Sequence, residues 1–511
     1  MGWLLNLLVA VPAVGALLLA VWPRARGERQ APVVGVVVTA VALVLSLAAV
    51  PSVVGTAGMQ LETDLPWIPV LDVRWHLGVD GISLPLVVLT ALLTLLCMVS
   101  LLRGNVPACG GVRTLVSVVL LLETGVLGTF LALDLVLFFV FFELVLVPMW
   151  FVIADWGDPH DAPGRRRAAT VFLLMTVIGS AVMLAGFLLV YAHTGTFDMV
   201  ALAQAQGTGM SATTQLVAAL AIGLGFAVKS PLWPLHIWLP DAHAKAPTIG
   251  SVLLAGVLLK MGTYGFVRIW LPVVPEGARQ LAPYLAVLAA VGIVYGSLAC
   301  LAQTDLKRLV AYSSVGHMGF VLLGVATLRP VGVNGALVAN IAHGLITGLL
   351  FFLVGALKDR HDTSDLVGLG RGLYGRSPRL GGILALAAMA SLGLPGLAGF
   401  WGEMLTLLAA FQPADGLSRP VFLVCMALGG LGAVLTAVYF VRVLRLVAQG
   451  APDAPAPPRA ESWRPASFDA TLQDLGVWSP LVALTVAIGL APGLVLDVVD
   501  PAVQVLLGGS A

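Results

Sequence analysis

Five side chains that carry charge at neutral pH stand inside long apolar runs of this 511-residue chain. Glu123 lies in VVLLLETGVLG, Glu143 in LVLFFVFFELVLVPMW, Lys229 at the head of KSPLWPLHIWLPDAH, Lys260 in LLAGVLLKMGTYG, and Glu403 at the end of SLGLPGLAGFWGE. His317 in AYSSVGHMGF and His343 in VANIAHGLITG place two more titratable groups between the last lysine and the last glutamate. Carboxylates, amines and imidazoles that follow one another through an apolar medium are the parts of a proton relay, because each takes up and releases a proton without any redox centre. Each charge in mid-membrane costs about 2.5 to 3.5 kcal/mol on insertion scales. Five unpaired ones would cost on the order of 15 kcal/mol, so pairing or hydration is demanded.

A competing reading makes Glu143 and Lys229 a buried salt bridge that only locks two helices. Against it, a lysine beside interrupted helix backbone is hydrated, and burial brings it into the range where it exchanges protons at neutral pH. Either histidine alone reads as a hydrogen-bonded packing residue, whereas two in adjacent helices after a membrane lysine read as a relay. Glu123 is a secondary candidate. Asp134 reads as a helix cap and Arg268 as a side chain that snorkels from the end of its helix.

These residues must be positioned by membrane helices. The chain is 59% hydrophobic and 10% charged, with mean hydropathy +1.00, against about 25% charged residues in soluble domains. Too few charges exist to coat soluble domains. A net charge of +1 with no basic run excludes a nucleic-acid partner. The first apolar run lacks a basic lead and a small-residue cleavage site, so it is expected to stay as a helix rather than be removed.

A ruler of about 20 residues gives fourteen spans. They fall near 3–22, 33–54, 82–102, 114–133, 135–153, 169–192, 213–239, 247–271, 281–302, 308–328, 333–357, 380–411, 420–447 and 478–496. The division at Asp134 is the narrowest. Alternate loops carry twenty Lys and Arg on one side and four on the other, which predicts a multi-pass protein of the inner (plasma) membrane with both termini outside. The acidic outer loop 55–81, with Glu62, Asp64, Asp72 and Asp80, is expected to be a lid or a contact surface. The proline-rich loop 451–478 is expected to be a cytoplasmic connector with a short in-plane segment.

Prolines interrupt two spans: Pro231, Pro234 and Pro240 in the seventh, and Pro395 beside Gly396 and Gly399 in the twelfth. Paired broken helices at matching places mark inverted-repeat transporters, whose sites sit at the breaks. The expected organisation is all-α: a three-helix segment at 1–113, one repeat of spans four to eight at 114–271, a second of spans nine to thirteen at 281–448, and a connector with a final helix at 449–511.

Other chemistry finds no footing. Cys97, Cys109, Cys300 and Cys425 form no CxxC pair, so they read as small apolar residues rather than ligands of zinc or an iron-sulfur cluster. GLGRG at 368–372 follows no strand, and GIVYG at 292 and GLITG at 344 imply only close helix packing.

The segments KSPLWPLHIWLPDAHAKAPTIGSVLLAGVLLKMGTYG (229–265), DLKRLVAYSSVGHMGF (305–320) and LPGLAGFWGEM (394–404) resemble the antiporter-like, proton-pumping membrane subunits of respiratory complex I, the proton-translocating NADH:quinone oxidoreductase. The resemblance covers spans three to fourteen. It implies a fourteen-helix fold with inverted five-helix repeats and broken helices 7 and 12, and proton pumping driven by NADH oxidation with quinone. Carried over by motif, Glu143 resembles the helix-five acid, Lys229 the helix-seven lysine, Lys260 the central lysine, His317 and His343 the connecting residues, and Glu403 the terminal acid. L-type and N-type chains and cation/proton antiporter chains usually carry lysine at that last position, so Glu403 points to the M-type branch. The resemblance further implies that no cofactor belongs to this chain, that NADH, FMN, iron-sulfur clusters and quinone are handled by other subunits, and that its neighbours are lipids and other membrane-arm subunits, the L-type and N-type chains above all. The alternatives are a chain of a multisubunit cation/proton antiporter, a membrane-bound hydrogenase subunit of the same fold, and a noncatalytic scaffold.

Purified alone, the chain is expected to oxidise no NADH and to carry no flavin. A stoichiometric redox cofactor in its absorption spectrum would contradict this.

Overall fold

The computed structural model describes residues 2–102, 111–450 and 469–508. Cys109, Arg103, Arg459, Arg464 and the 451–468 part of the expected connector lie outside the described residues, while the rest of its expected in-plane segment, from Leu472 on, belongs to the last long helix. The protein is an all-α membrane protein, with one small hairpin added. Its long helices are α1 (Trp3–Val21), α2 (Gly27–Val53), α3 (Leu84–Leu101), α4 (Val112–Leu131), α5 (Leu135–Trp156), α6 (Ala162–Thr194), α7 (Ala212–Lys229), α8 (Thr248–Val273), α9 (Pro275–Ala302), α10 (Leu306–Ala326) and α11 (Pro330–His361). Two half-length helices follow, α12 (Pro378–Ser391) and α13 (Ala398–Phe411), then α14 (Arg419–Ala448), α15 (Leu472–Leu490) and α16 (Gly493–Leu506). Thirteen of these are long and apolar enough to cross a membrane. Apolar runs become helices there because the chain must satisfy its own backbone groups.

The helices form an inner and an outer set. The most apolar stretch of α8 is wholly buried, and those of α11 and α10 are 94% and 89% buried, against 28% for α2 and α14. The outer helices leave Val37, Val44, Val434 and Val441 exposed on the outside of the bundle. Helix α8 lies against α3 and α11, and α11 against α10 and α13. Where α8 and α11 cross, a methyl on Gly344 would stand 2.9 Å from the Gly256 carbonyl oxygen, so the GLITG motif does mark close packing.

The division at Asp134 is real. Its carboxylate accepts hydrogen bonds from Val136 N at 2.8 Å and Leu137 N at 3.0 Å, capping α5 and ending the run of α4. The expected interruptions are also present, with sharper bounds. Helix α7 stops at Lys229, and a turn-rich stretch leads to a short helix, Leu239–Lys245. Helices α12 and α13 are separated by a turn in which Gly393 and Gly396 take φ of 70° and 91°, left-handed values open to glycine. Helix α8 departs from expectation, because it widens into π turns at Leu254–Leu258 and Phe266–Trp270. The first of these turns holds no proline, whereas Pro272, just past the second, removes the N–H that a regular helix would offer to the Arg268 carbonyl.

One element is new and two expectations are corrected. The loop 55–81 contains an antiparallel hairpin, β1 (Gln60–Ile68) and β2 (Val73–Val79). The last span is Leu472–Leu490, and the APG sequence at 491–493 then starts the separate helix α16, for which no span was expected. Arg268 does not snorkel: it is 5% exposed and its guanidinium is 2.5 Å from the carboxylate of Asp80, itself 3% exposed. Taking one partner out of such a buried pair costs about 3 to 5 kcal/mol, because the other charge is stranded.

The hairpin is clasped to the helices by His76 of β2. Its Nδ1 is 3.1 Å from Asp198, which caps the short helix Met199–Ala205, and its Nε2 is 3.1 Å from Glu62 of β1. Burial alone pulls the imidazole down, but the bonds to Asp198 and Glu62 outweigh it and raise His76 above 6.5. Asp198 correspondingly falls below 3.8, since His76 and backbone donors outweigh its burial. A raised histidine stabilises fully below 6.5 and loses that stabilisation as pH climbs through its folded value; a lowered carboxylate loses its part as pH falls through its own folded value. The clasp is therefore expected to be firmest between those two values. The protection of residues 60–79 against hydrogen exchange, taken relative to the base-catalysed intrinsic rate at each pH, should fall on the alkaline side, and His76→Gln should remove that fall.

Candidate functional site

The six expected site residues fall in two groups. The first surrounds the end of α7. Lys229 closes the last turn of that helix, where the negative end of the helix dipole favours a cation. Its side chain is buried, and its ammonium lies 4.9 Å from the ring centre of Phe142 and 5.9 Å from that of Phe172. Glu143 is the next residue after Phe142 on α5, half-buried, and its charge reaches Lys229 through space. No ion pair within 4 Å joins the two among the described residues, which removes the simple locking salt bridge. Lys229 Nζ and one Glu143 oxygen have no protein hydrogen-bond partner.

The second group is a continuous line. Lys260 follows the first π turn of α8, and its ammonium donates to the carbonyl oxygen of Ala255 within that turn. Wide turns often stand at functional sites, where they reorient side chains. The same nitrogen is 2.6 Å from His343 Nδ1 of α11. His343 and His317 of α10 have ring centres 5.6 Å apart. His317 Nδ1 is 3.4 Å from Glu403 Oε1 of α13, and its Nε2 is 2.9 Å from the hydroxyl of Ser391 at the end of α12. A cavity of about 20 Å³, lined by His317, His343, Thr347, Ser391 and Glu403 among others, leaves room for one water beside the two rings.

Glu403 sits in the second turn of α13 rather than at its first residue, yet its carboxylate reaches back to the break. A methyl on Gly393 would stand 2.7 Å from Glu403 Oε2. Glu123 is wholly buried on α4, both its oxygens lack a protein partner, and it joins neither group by a hydrogen bond or ion pair.

Sequence reasoning passed over several polar residues here. His243 in the short helix after the first break is fully buried, is stacked on Phe351 of α11 with ring centres 4.7 Å apart, and has no partner for either ring nitrogen. His236 and Ser230, in the break itself, each hold a buried unpartnered atom. Asn340, one turn from His343, accepts from the Thr263 hydroxyl at 3.0 Å. Phe142 and Phe172 carry no sequence signal as partners of Lys229, since aromatic residues are common in apolar runs. The PDAH segment was the one available pointer to His243. Among the described residues no cluster of His, Cys, Asp or Glu could hold a metal ion.

Wider comparison decides the kinship. A family model described as NADH:quinone oxidoreductase/Mrp antiporter, transmembrane, matches residues 132–430, more than half of the chain. The chain belongs to this family. It is 39% identical to NADH-quinone oxidoreductase subunit M of Rhodobacter capsulatus over 99% of its own length and 96% of the relative's. A chain 4 of NAD(P)H-quinone oxidoreductase from Picosynechococcus is 37% identical, covering 96% of this chain and 89% of that one. A chain in the structure of respiratory complex I from Thermus thermophilus with bound NADH matches with TM-score 0.84 and 31% identity, over 99% of this chain and all of that one. A chain of the Mrp complex from Dietzia matches at TM-score 0.85 and 23% identity, a likeness of fold alone.

Membership in this family gives the broken helices a common setting but not their chemistry, which lies in the contacts above. Because Glu403 packs against the Cα of Gly393, Gly393→Ala is expected to displace the carboxylate and to lower NADH-driven proton translocation several-fold in assembled complex. Parental translocation with a full complement of this chain would show that the position of Glu403 at the break is unimportant.

Proposed function

We propose that this chain is a proton-translocating membrane-arm subunit of NADH:quinone oxidoreductase, moving protons along Glu143, Lys229, Lys260, His343, His317 and Glu403 while other subunits carry out quinone reduction. The observation that carries this reading is the unbroken contact from Lys260 through His343 and His317 to Glu403 inside the inner helices. Neighbouring members are a hydrogen bond or one ring spacing apart, so a proton can pass by successive transfers with one water beside the rings. Glu143 acts at the other end: its charge and its distance from Lys229 govern when that lysine takes up a proton.

His243, fully buried with both ring nitrogens unpartnered, is a further candidate station of the path from the first break. Protons are taken up from the cytoplasmic side near Lys229 and released outside beyond Glu403, with Glu123 held as a secondary candidate. The path runs through two inverted repeats, 114–271 and 281–448, each with its own break, and crosses from the first to the second at the contact of Lys260 with His343. The bias of twenty basic loop residues against four supports a topology with both termini and the hairpin on the outer face.

The neighbours of this chain are other antiporter-like membrane subunits, and in this reading they are the L-type and N-type chains. An antiporter or hydrogenase assignment would be supported instead if the chain copurified in mild detergent without flavin and iron-sulfur subunits of an NADH dehydrogenase.

The test is NADH-driven proton translocation in inverted membrane vesicles, normalised to assembled complex. Glu403→Gln should lose most of it, Glu403→Asp should keep much, and Glu403→Lys should be poor, because His317 and its neighbours are arranged around a carboxylate. Lys229→Ala and Glu143→Ala should each impair pumping and quinone-linked NADH oxidation while leaving assembly largely intact, with Glu143→Asp mild. Parental pumping by Glu403→Gln would move the terminal site elsewhere.

A further inference from the structure

We propose that Arg268 is a positioning residue for Lys260: its buried ion pair with Asp80 fixes the rotational register of α8 so that the lysine meets His343. The proposal rests on the reading of Lys260 and His343 as part of the proton path.

Helix α8 is divided unlike any other inner helix. An α stretch holding Lys260 and Tyr264, 259–265, lies between two π turns, 254–258 and 266–270. A π turn accommodates one more residue than an α turn, and one residue corresponds to about 100° of rotation. Relaxation of either wide turn would swing Lys260 around the axis and away from α11. The inner turn is held by contacts of its own, the Lys260 bond to the Ala255 carbonyl and the close approach of Gly256 to Gly344.

The second wide turn is centred on Arg268. Lys260, Tyr264 and Arg268 recur every four residues, the spacing of a ridge along one helix face. Its end toward the hairpin is pinned at two places. Arg268 reaches Asp80 at 2.5 Å, and the same Asp80 oxygen accepts from the backbone N–H groups of Ile82 and Ser83, both at 3.0 Å, at the start of α3. Arg268 Nε also donates to the Tyr264 hydroxyl at 3.1 Å, which donates in turn to the Phe130 carbonyl of α4 at 3.0 Å. Both charged groups are almost wholly buried, so solvent offers the guanidinium no competing position. The ion pair therefore holds the wide turn in one place relative to α3 and α4. Lys260, two turns along the same ridge, inherits its direction from that anchor.

The test uses the intact complex in inverted vesicles, with assembly, NADH oxidation and protons moved per NADH measured together across pH. A single neutral variant strands a charge, so the variant of choice is Asp80→Asn/Arg268→Met, which removes both charges and keeps an acceptor for Ile82 and Ser83. We expect it to assemble, to lose most of its protons moved per NADH and to shift the pH profile of pumping. Tyr264→Phe, which changes no charge, should show a smaller loss of the same kind. Parental protons per NADH and an unchanged pH profile in the assembled double variant would overturn the proposal. So would a loss of pumping that only tracks a loss of assembled complex in both the double variant and Tyr264→Phe, since that marks a purely structural pair. Lys260→Ala serves as the control: if it pumps like the parent, the proton-path reading itself fails, separately from any effect of Arg268.

Discussion

An ammonium group with no exposed surface must be given acceptors by the protein, and that requirement at Lys260 governs the centre of this molecule. A regular helix commits its carbonyl groups to the backbone ladder, leaving little for a side chain to use. The π turn before Lys260 changes the local arrangement, and Ala255 supplies a carbonyl oxygen to the ammonium. His343 supplies the second partner from α11, which approaches closely because Gly344 faces Gly256. Around this point the three most buried helices gather, while helices such as α2 and α14 stay largely exposed at the rim.

The two breaks satisfy charge in opposite ways. At the first, Lys229 closes the C-terminal turn of α7, with the aromatic faces of Phe142 and Phe172 against its ammonium and no hydrogen-bonded carboxylate. At the second, Glu403 reaches back from α13 toward the turn before it, with His317 as its charged-state partner and Ser391 beyond the ring. A cation belongs at a helix C-terminus and an anion near an N-terminus, so each break suits the charge it holds. The unpartnered nitrogens of His243 and His236 and the Ser230 hydroxyl lie beside the first break, whereas the line from Lys260 to Glu403 is joined group to group. The first half of the path thus depends on water and side-chain movement more than the second.

On the hairpin side, charge is organised for rigidity. Asp80 and Arg268 bury one full pair, and Asp134 and Asp198 spend their carboxylates on helix caps. His76 then ties Asp198 to Glu62 across the hairpin. These contacts bind α3, α4, α5 and α8 to a common base. A relay whose members stand only a few ångströms apart needs such a base, since a rotation of one helix by a single residue would part Lys260 from His343.

The sequence by itself determined the membrane class, the helix boundary at Asp134, the interruptions near Pro231 and Pro395, and the identity of the charged residues in the spans. Each of these is a local property: hydropathy over about 20 residues, a capping carboxylate, a missing N–H, or a charge where one is expensive. The family, too, was legible in three long motifs. Tertiary structure alone decided which charges meet. Arg268, which reads as a snorkelling side chain, is turned inward because Asp80, 188 positions away, waits at the cap of α3. Glu143 and Lys229, for which a locking salt bridge is the competing reading, form no ion pair among the described residues, and Phe142 lies against the ammonium. The first π turn of α8 holds no proline, and Pro272 beyond the second marks only a missing N–H; the helices α3, α7 and α11 that press against α8 surround both turns. A sequence states where charge is placed along the chain; the azimuth of each helix, set by packing against its neighbours, decides what that charge touches.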